Sequence, residues 1–158
     1  MLSISILVVE DEAPKRLHIE RFLQSLNTSM TIESARSVNG ALDAIDEFRP
    51  DLILLDMSLP TFDVGDREPG GRPQGFGGLE VLRQMALAKC LCPTIVITGY
   101  EAFPREMGKP VELAQVRAEL EAEFPSVLKG VLHYNSTYDE WKLLLKAILS
   151  EFGIEPGG

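Results

Sequence analysis

The run Leu52-Ile53-Leu54-Leu55-Asp56 constrains this chain more than any other stretch. Four consecutive apolar residues, entered through Pro50-Asp51, predict a strand buried on both faces. The strand ends on a carboxylate, and Pro60, in Met57-Ser58-Leu59-Pro60, blocks its continuation. A strand covered on both sides implies a parallel sheet between helices, and in such sheets ligands gather at the carboxyl ends of the strands. Two more apolar runs end in polar groups. Ile4-Ser5-Ile6-Leu7-Val8-Val9 leads into Glu10-Asp11, and Pro93-Thr94-Ile95-Val96-Ile97 leads into Thr98. Three acids and a hydroxyl are therefore expected at one sheet edge.

The remaining periodicity fits that frame. Pro14 suits the first turn of a helix, and Ile19, Phe22, Leu23 and Leu26 follow at helical spacing. Met30 to Ala35 alternates weakly and predicts a short outer strand. A helix over about 37–48 has Ser37 as its cap and Val38, Ala41, Leu42, Ile45 and Phe48 on one face. Gly77-Gly78 precedes a third helix over about 79–88. A fourth, over about 111–124, carries Leu113, Val116, Leu120 and Phe124. A last strand, Gly130 to Tyr134, and a last helix over about 137–152, burying Trp141, Leu145, Ile148 and Phe152, complete the order βαβαβαβαβα. That order defines an α/β fold, a doubly wound five-stranded sheet with right-handed crossovers. Two connections are long for such a unit, about 61–76 and 99–110, the first rich in glycine, proline and charge. They read as insertions within a single domain spanning 1–158.

Bulk properties exclude several classes. A formal charge of −9 argues against nucleic acid as a direct ligand, because phosphate backbones are met by Lys and Arg. No apolar run approaches the roughly 20 residues of a membrane helix, and Met1-Leu2-Ser3 lacks the positive start of a signal peptide. A cytoplasmic protein with no membrane partner is the expectation. Cys90 and Cys92 are the two cysteines; their spacing is awkward for a disulfide and too sparse for structural zinc. They are expected to be reduced.

The Pro-Asp-Leu-Ile-Leu-Leu run before Asp56, the pair Glu10-Asp11 and Thr98 within Val-Ile-Thr-Gly together resemble the receiver domain of response regulators in two-component signalling. The resemblance spans nearly the whole chain outside the two insertions. It implies the flavodoxin-like strand order 2-1-3-4-5, with the first and third strands adjacent at the switch point. Three neighbouring carboxylates repel one another, and a Mg²⁺ ion removes that conflict. The resemblance assigns Glu10, Asp11, Asp56 and the backbone carbonyl of Ser58 to the metal. It makes Asp56 the phosphoacceptor, charged by a histidine kinase or a histidine phosphotransfer protein, and Thr98 the hydroxyl that binds the phosphoryl group. A phosphoacceptor of this kind is a signalling domain rather than an enzyme. Its fourth and fifth helices, with Tyr138 and Trp141 nearby, would form a surface for a protein partner or a dimer. Taken singly, each residue also has a plain structural account: Asp11 as a helix cap, Glu10 as a solvated strand end, Thr98 as a strand-end hydroxyl.

The chain departs from the family pattern mildly at Glu10, where an aspartate is usual and the carboxylate remains, and more sharply at the end of the fifth strand. Receivers carry a lysine followed by proline at the end of the fifth strand; here Tyr134 and Asn135 fill those positions, and Val131 replaces the usual aromatic. The pocket is therefore expected to lack its cation. One charge pair of that kind is worth on the order of 4 kcal/mol before desolvation. Lys109, in the second insertion, is a candidate substitute that the loop could deliver to the pocket, with an exposed lysine before a helix as the simpler account. The first insertion borders the pocket and would either cover the acids, present Phe62 and Phe76 to a partner, or be a tolerated surface loop. An alternative function follows from these departures: a pseudo-receiver that acts as a protein interaction module independent of phosphorylation.

Overall fold

The computed structural model describes residues 4–26, 29–62, 77–99, 102–103 and 111–151. The elements run β1 (Ile4–Val9), α1 (Ala13–Gln24), β2 (Met30–Ala35), α2 (Val38–Phe48), β3 (Leu52–Leu55), α3 (Gly77–Leu87) and β4 (Thr94–Thr98). They continue through β5 (Ala102–Phe103), β6 (Val111–Glu112), α4 (Leu113–Glu123), β7 (Leu128–His133) and α5 (Glu140–Glu151). The main sheet is β2-β1-β3-β4-β7, every pair parallel. Counting its own strands, the order is the expected 2-1-3-4-5.

Alternation along each strand feeds two cores. Leu7, Val9, Ile53, Leu55, Val96 and Val131 meet the helices α2, α3 and α4 on one face. Ile6, Val8, Leu52, Leu54, Ile95, Ile97 and Leu132 meet α1 and α5 on the other. The inner stripe of α5 is Trp141, Leu145 and Leu149, with Ile148 at its margin. Phe152, the fourth residue expected there, lies outside the described residues.

Local chemistry sets the helix boundaries. Pro14 sits in the first turn of α1, where its missing N–H costs nothing. Ser37 Oγ accepts from Gly40 N at 2.9 Å and caps α2. Arg49 and Lys89, in the turns that follow α2 and α3, adopt left-handed backbone with φ of 51° and 58°. The connection expected to be irregular from Gly99 to Pro110 contains a short antiparallel ladder, Ala102–Phe103 with Val111–Glu112. That ladder moves the start of α4 from the expected 111 to Leu113. Both cysteines are free, and Cys92 Sγ donates to Pro50 O at 3.1 Å.

Candidate functional site

Three strand ends build one pocket. Glu10 follows β1, Asp56 follows β3, and Thr98 closes β4. The backbone ladder carries past the strands to hold them there: Glu10 N donates to Ala35 O at 2.9 Å and Asp56 N to Val9 O at 3.0 Å. Glu10, Asp11 and Asp56 each offer a carboxylate oxygen within a 4.8 Å spread. Glu10 and Asp56 are buried, at 1% and 5% exposure, and Asp11 is half-buried. Thr98 and Ser58 are also buried.

The loop after Asp56 is fastened at several points. Met57 N donates to Asp56 Oδ1 at 2.9 Å, and Gly78 N donates to Met57 O at the same distance. Val38 N and Asn39 N, at the start of α2, bind Pro60 O and Thr61 O at 2.9 and 3.0 Å. The two glycines at the start of α3 permit this packing. A Cβ on Gly78 would lie 2.3 Å from Asp56 O, and one on Gly77 would lie 2.6 Å from Leu59 O. Beyond Phe62, which is exposed, the first insertion (63–76, including Phe76) lies outside the described residues.

The expectation that the pocket lacks a cation is overturned. Lys15, in the first turn of α1, is 5% exposed and turns into the acids. Its Nζ lies 2.7 Å from Glu10 Oε2 and 3.1 Å from Asp56 Oδ1, and it donates to Ile97 O at 2.8 Å. The ammonium thus meets an oxygen from the end of each of β1, β3 and β4, hydrogen-bonding those of Asp56 and Ile97 and pairing by charge with that of Glu10. Tyr134 stands where the family lysine was expected. Its backbone N donates to Thr98 O at 2.8 Å, its ring centroid is 5.6 Å from Lys15 Nζ, and its hydroxyl pairs with His18 Nδ1 at 2.8 Å. Lys109, the substitute suggested by the sequence, lies outside the described residues. Trp141, expected near a docking surface, is instead fully buried beneath Tyr134 and His18, whereas Tyr138 is 70% exposed.

The lysine was detectable in principle. Lys15, Ile19 and Leu23 are the buried residues of α1, spaced four apart, so Lys15 extends the helix's inner stripe by one turn toward the sheet edge. A cation on the inner face of a helix, one turn from two acids, is the signal.

Electrostatics follow from burial and crowding. Burial pushes Glu10 up to about 8, Lys15 opposing and Asp56 adding to the shift. Burial likewise raises Asp56, against the pull of Lys15, and raises Asp11, with Asp56 adding. For Lys15, burial favours the neutral amine, but Asp56 and Glu10 outweigh it and hold the ammonium charged. With all three carboxylates ionised, the pocket with its lysine carries a net −2. That charge and an all-oxygen donor set fit a hard divalent cation such as Mg²⁺. A cleft of about 750 Å³ opens over the pocket, bordered by Glu10, Lys15, Asp56, Gly99, Tyr134 and Asn135.

A parallel sheet of this order, with buried acids at its switch point and a carboxylate closing the third strand, defines a flavodoxin-like protein with an aspartate-centred pocket. The family described as response regulator receiver domain matches residues 6–113, and the chain belongs to that family, the receiving module of two-component signalling. The Detocs response regulatory protein DtcB of Enterobacter cloacae (strain JD6301) is 28% identical over 151 residues, which cover 92% of this chain and 98% of its own. Sporulation initiation phosphotransferase F of Bacillus subtilis (strain 168) is 25% identical, covering 79% of this chain and 97% of its own. Among solved structures, the Mn(2+)-bound form of response regulator Rcp1 superposes with a TM-score of 0.63 at 20% identity, over 98% of this chain and 97% of its own. Response regulator protein TrrA from Thermotoga maritima, in complex with Mg(2+)-BeF, superposes with a TM-score of 0.61 at 23% identity, over 92% and 98%. These superpositions establish the fold.

Proposed function

We propose that the chain is a single-domain response regulator, one receiver over residues 1–158, whose Asp56 accepts a phosphoryl group from a histidine kinase or a histidine phosphotransfer protein. The observation that carries this reading is the convergence of Glu10, Asp11 and Asp56 within 4.8 Å at the carboxyl edge of a parallel sheet. In the reaction, an Asp56 carboxylate oxygen bonds to phosphorus as the P–N bond of the donor imidazole breaks. The imidazole nitrogen leaves with the bonding electron pair, and an acyl phosphate remains on Asp56. Glu10, Asp11, Asp56 and the Ser58 carbonyl would hold Mg²⁺, which offsets charge on the transferring oxygens when bound. Met57 N, 2.9 Å from Asp56 Oδ1, orients the nucleophile. Thr98, buried at the end of β4, is the hydroxyl that would bind a phosphoryl oxygen by the family pattern. The state of the pocket would be passed to a protein partner, or a second copy, through the surface of α4 and α5. Tyr138, Leu143 and Leu144 are the exposed apolar groups on and before α5.

A second reading rests on Lys15. Its ammonium stands 2.7 Å from Glu10 Oε2 and 3.1 Å from Asp56 Oδ1 and offsets part of their charge without any metal, as a phosphorylation-independent interaction module would require. One experiment separates the two: intact mass after incubation with acetyl phosphate and Mg²⁺. The expected outcome is one phosphoryl group on the parent and none on Asp56→Asn. An unlabelled parent, under conditions that label an ordinary receiver, would select the interaction module.

A further inference from the structure

The phosphoacceptor reading leaves one buried charge without a task. We propose that Lys15, delivered by α1 instead of by the end of β7, is the cation that holds the phosphoryl group on Asp56, with Tyr134 walling it into place. The inference rests on the phosphoacceptor reading and adds to it a residue that the family pattern places elsewhere.

Geometry carries the inference. The ammonium is 3.1 Å from Asp56 Oδ1, so it already touches the carboxylate that would react. A phosphorus atom bonded to that carboxylate brings its own oxygens into the same volume. Of the three oxygens around Nζ, Ile97 O is main chain and anchors the group from β4, while Asp56 Oδ1 belongs to the reacting side chain. Glu10 Oε2 is the exchangeable one. It pairs with Nζ at 2.7 Å but makes no well-directed hydrogen bond among the described residues. A phosphoryl oxygen, more highly charged than a carboxylate oxygen, can take that place. Lys15 forms no bond to phosphorus and keeps its protons; it acts through a charge-assisted hydrogen bond in a water-poor pocket.

Tyr134 fills the space a lysine side chain would otherwise enter from β7. Its ring lies 5.6 Å from Nζ, and His18 Nδ1 fixes its hydroxyl at 2.8 Å. The same α1 therefore supplies both the cation and the group that orients its wall. Presented from the helix, the ammonium reaches Asp56 from the α1 side of the sheet, and the aromatic ring faces it across the cleft.

The test compares the parent with Asp56→Asn, Lys15→Met and the double variant Lys15→Met/Tyr134→Lys. Two quantities are measured on each: the labelling rate by acetyl phosphate, from intact mass, and the Mg²⁺ midpoint, from fluorescence of the single tryptophan. Trp141 suits this readout because its indole centroid is 5.3 Å from that of Tyr134. Lys15→Met is expected to label on the order of 10²-fold more slowly. Its Mg²⁺ midpoint should be unchanged or lower, because a competing cation has left the pocket. The double variant should recover at least part of the rate, since a lysine at 134 approaches the same phosphoryl group from the strand. Labelling of Lys15→Met at the parent's rate would overturn the assignment. Joint loss of Mg²⁺ binding and labelling in Lys15→Met, with no recovery in the double variant, would also overturn it by making Lys15 a structural cation. An unlabelled parent would overturn the phosphoacceptor reading itself, and this assignment with it.

Discussion

Lys15 and Glu10 make the shortest contact in the pocket, and the proton on Glu10 decides much of how the metal-free protein responds to pH. Burial holds a proton on Glu10 up to about 8, whereas in the unfolded chain it is released near the ordinary 4.5. Between those values the folded state binds more protons than the unfolded state, so stability falls as pH rises. Asp11 and Asp56 are raised as well and act in the same direction. Thermal unfolding in EDTA should therefore lose on the order of a few kcal/mol of stability between pH 5 and pH 8, and Glu10→Gln should flatten that slope. A flat profile in the parent would show that the proton is not retained. The acids themselves were legible because each directly follows an apolar strand. Lys15 was not, because lysine next to Pro14 and Arg16 reads as a solvated first turn. Its inward direction emerges only when Ile19 and Leu23 are aligned with it as one stripe.

At the scale of elements, hydrophobic pattern and turn chemistry identified the five strands of the main sheet and the five helices, because β1, β3 and β4 are short apolar runs and the outer β2 still alternates between breakers. Ser37 as a cap needed only its place before Val38. The two-residue strands β5 and β6 were hidden, since two residues carry no period and their pairing is a tertiary contact. The register of α5 was partly legible: Trp141 and Leu145 face the core as expected, but Leu149 continues their line while Ile148 sits at its edge. Gly77 and Gly78 were seen as punctuation before α3, whereas they form its first turn, packed against the backbone that follows Asp56. Their task gives a direct prediction. Gly78→Ala places a methyl 2.3 Å from Asp56 O, where main chain must yield. Urea unfolding should show a loss of about 2 kcal/mol, even though alanine favours a helix by ~1 kcal/mol. Unchanged stability would mean that α3 can shift away from the acid loop freely.

For the whole molecule, the strand order follows from the family resemblance and is as expected. Among the described residues no helix is long and apolar enough to cross a membrane. The acidic excess was silent about the pocket, where one buried lysine matters more than the net −9. That lysine also bears on the order in which the protein assembles. Its bond to Ile97 O joins residues 82 positions apart, and its pairing with Asp56 spans 41. Closing such distances costs chain entropy before any contact returns it, and the ammonium gains its full set of acceptors only after β1, β3 and β4 lie side by side. In stopped-flow experiments without metal, Lys15→Met should therefore leave the refolding rate nearly unchanged and accelerate unfolding, the pattern of an interaction absent from the transition state. The lysine would then act as a late latch, setting how long the native state lasts rather than how quickly it is reached.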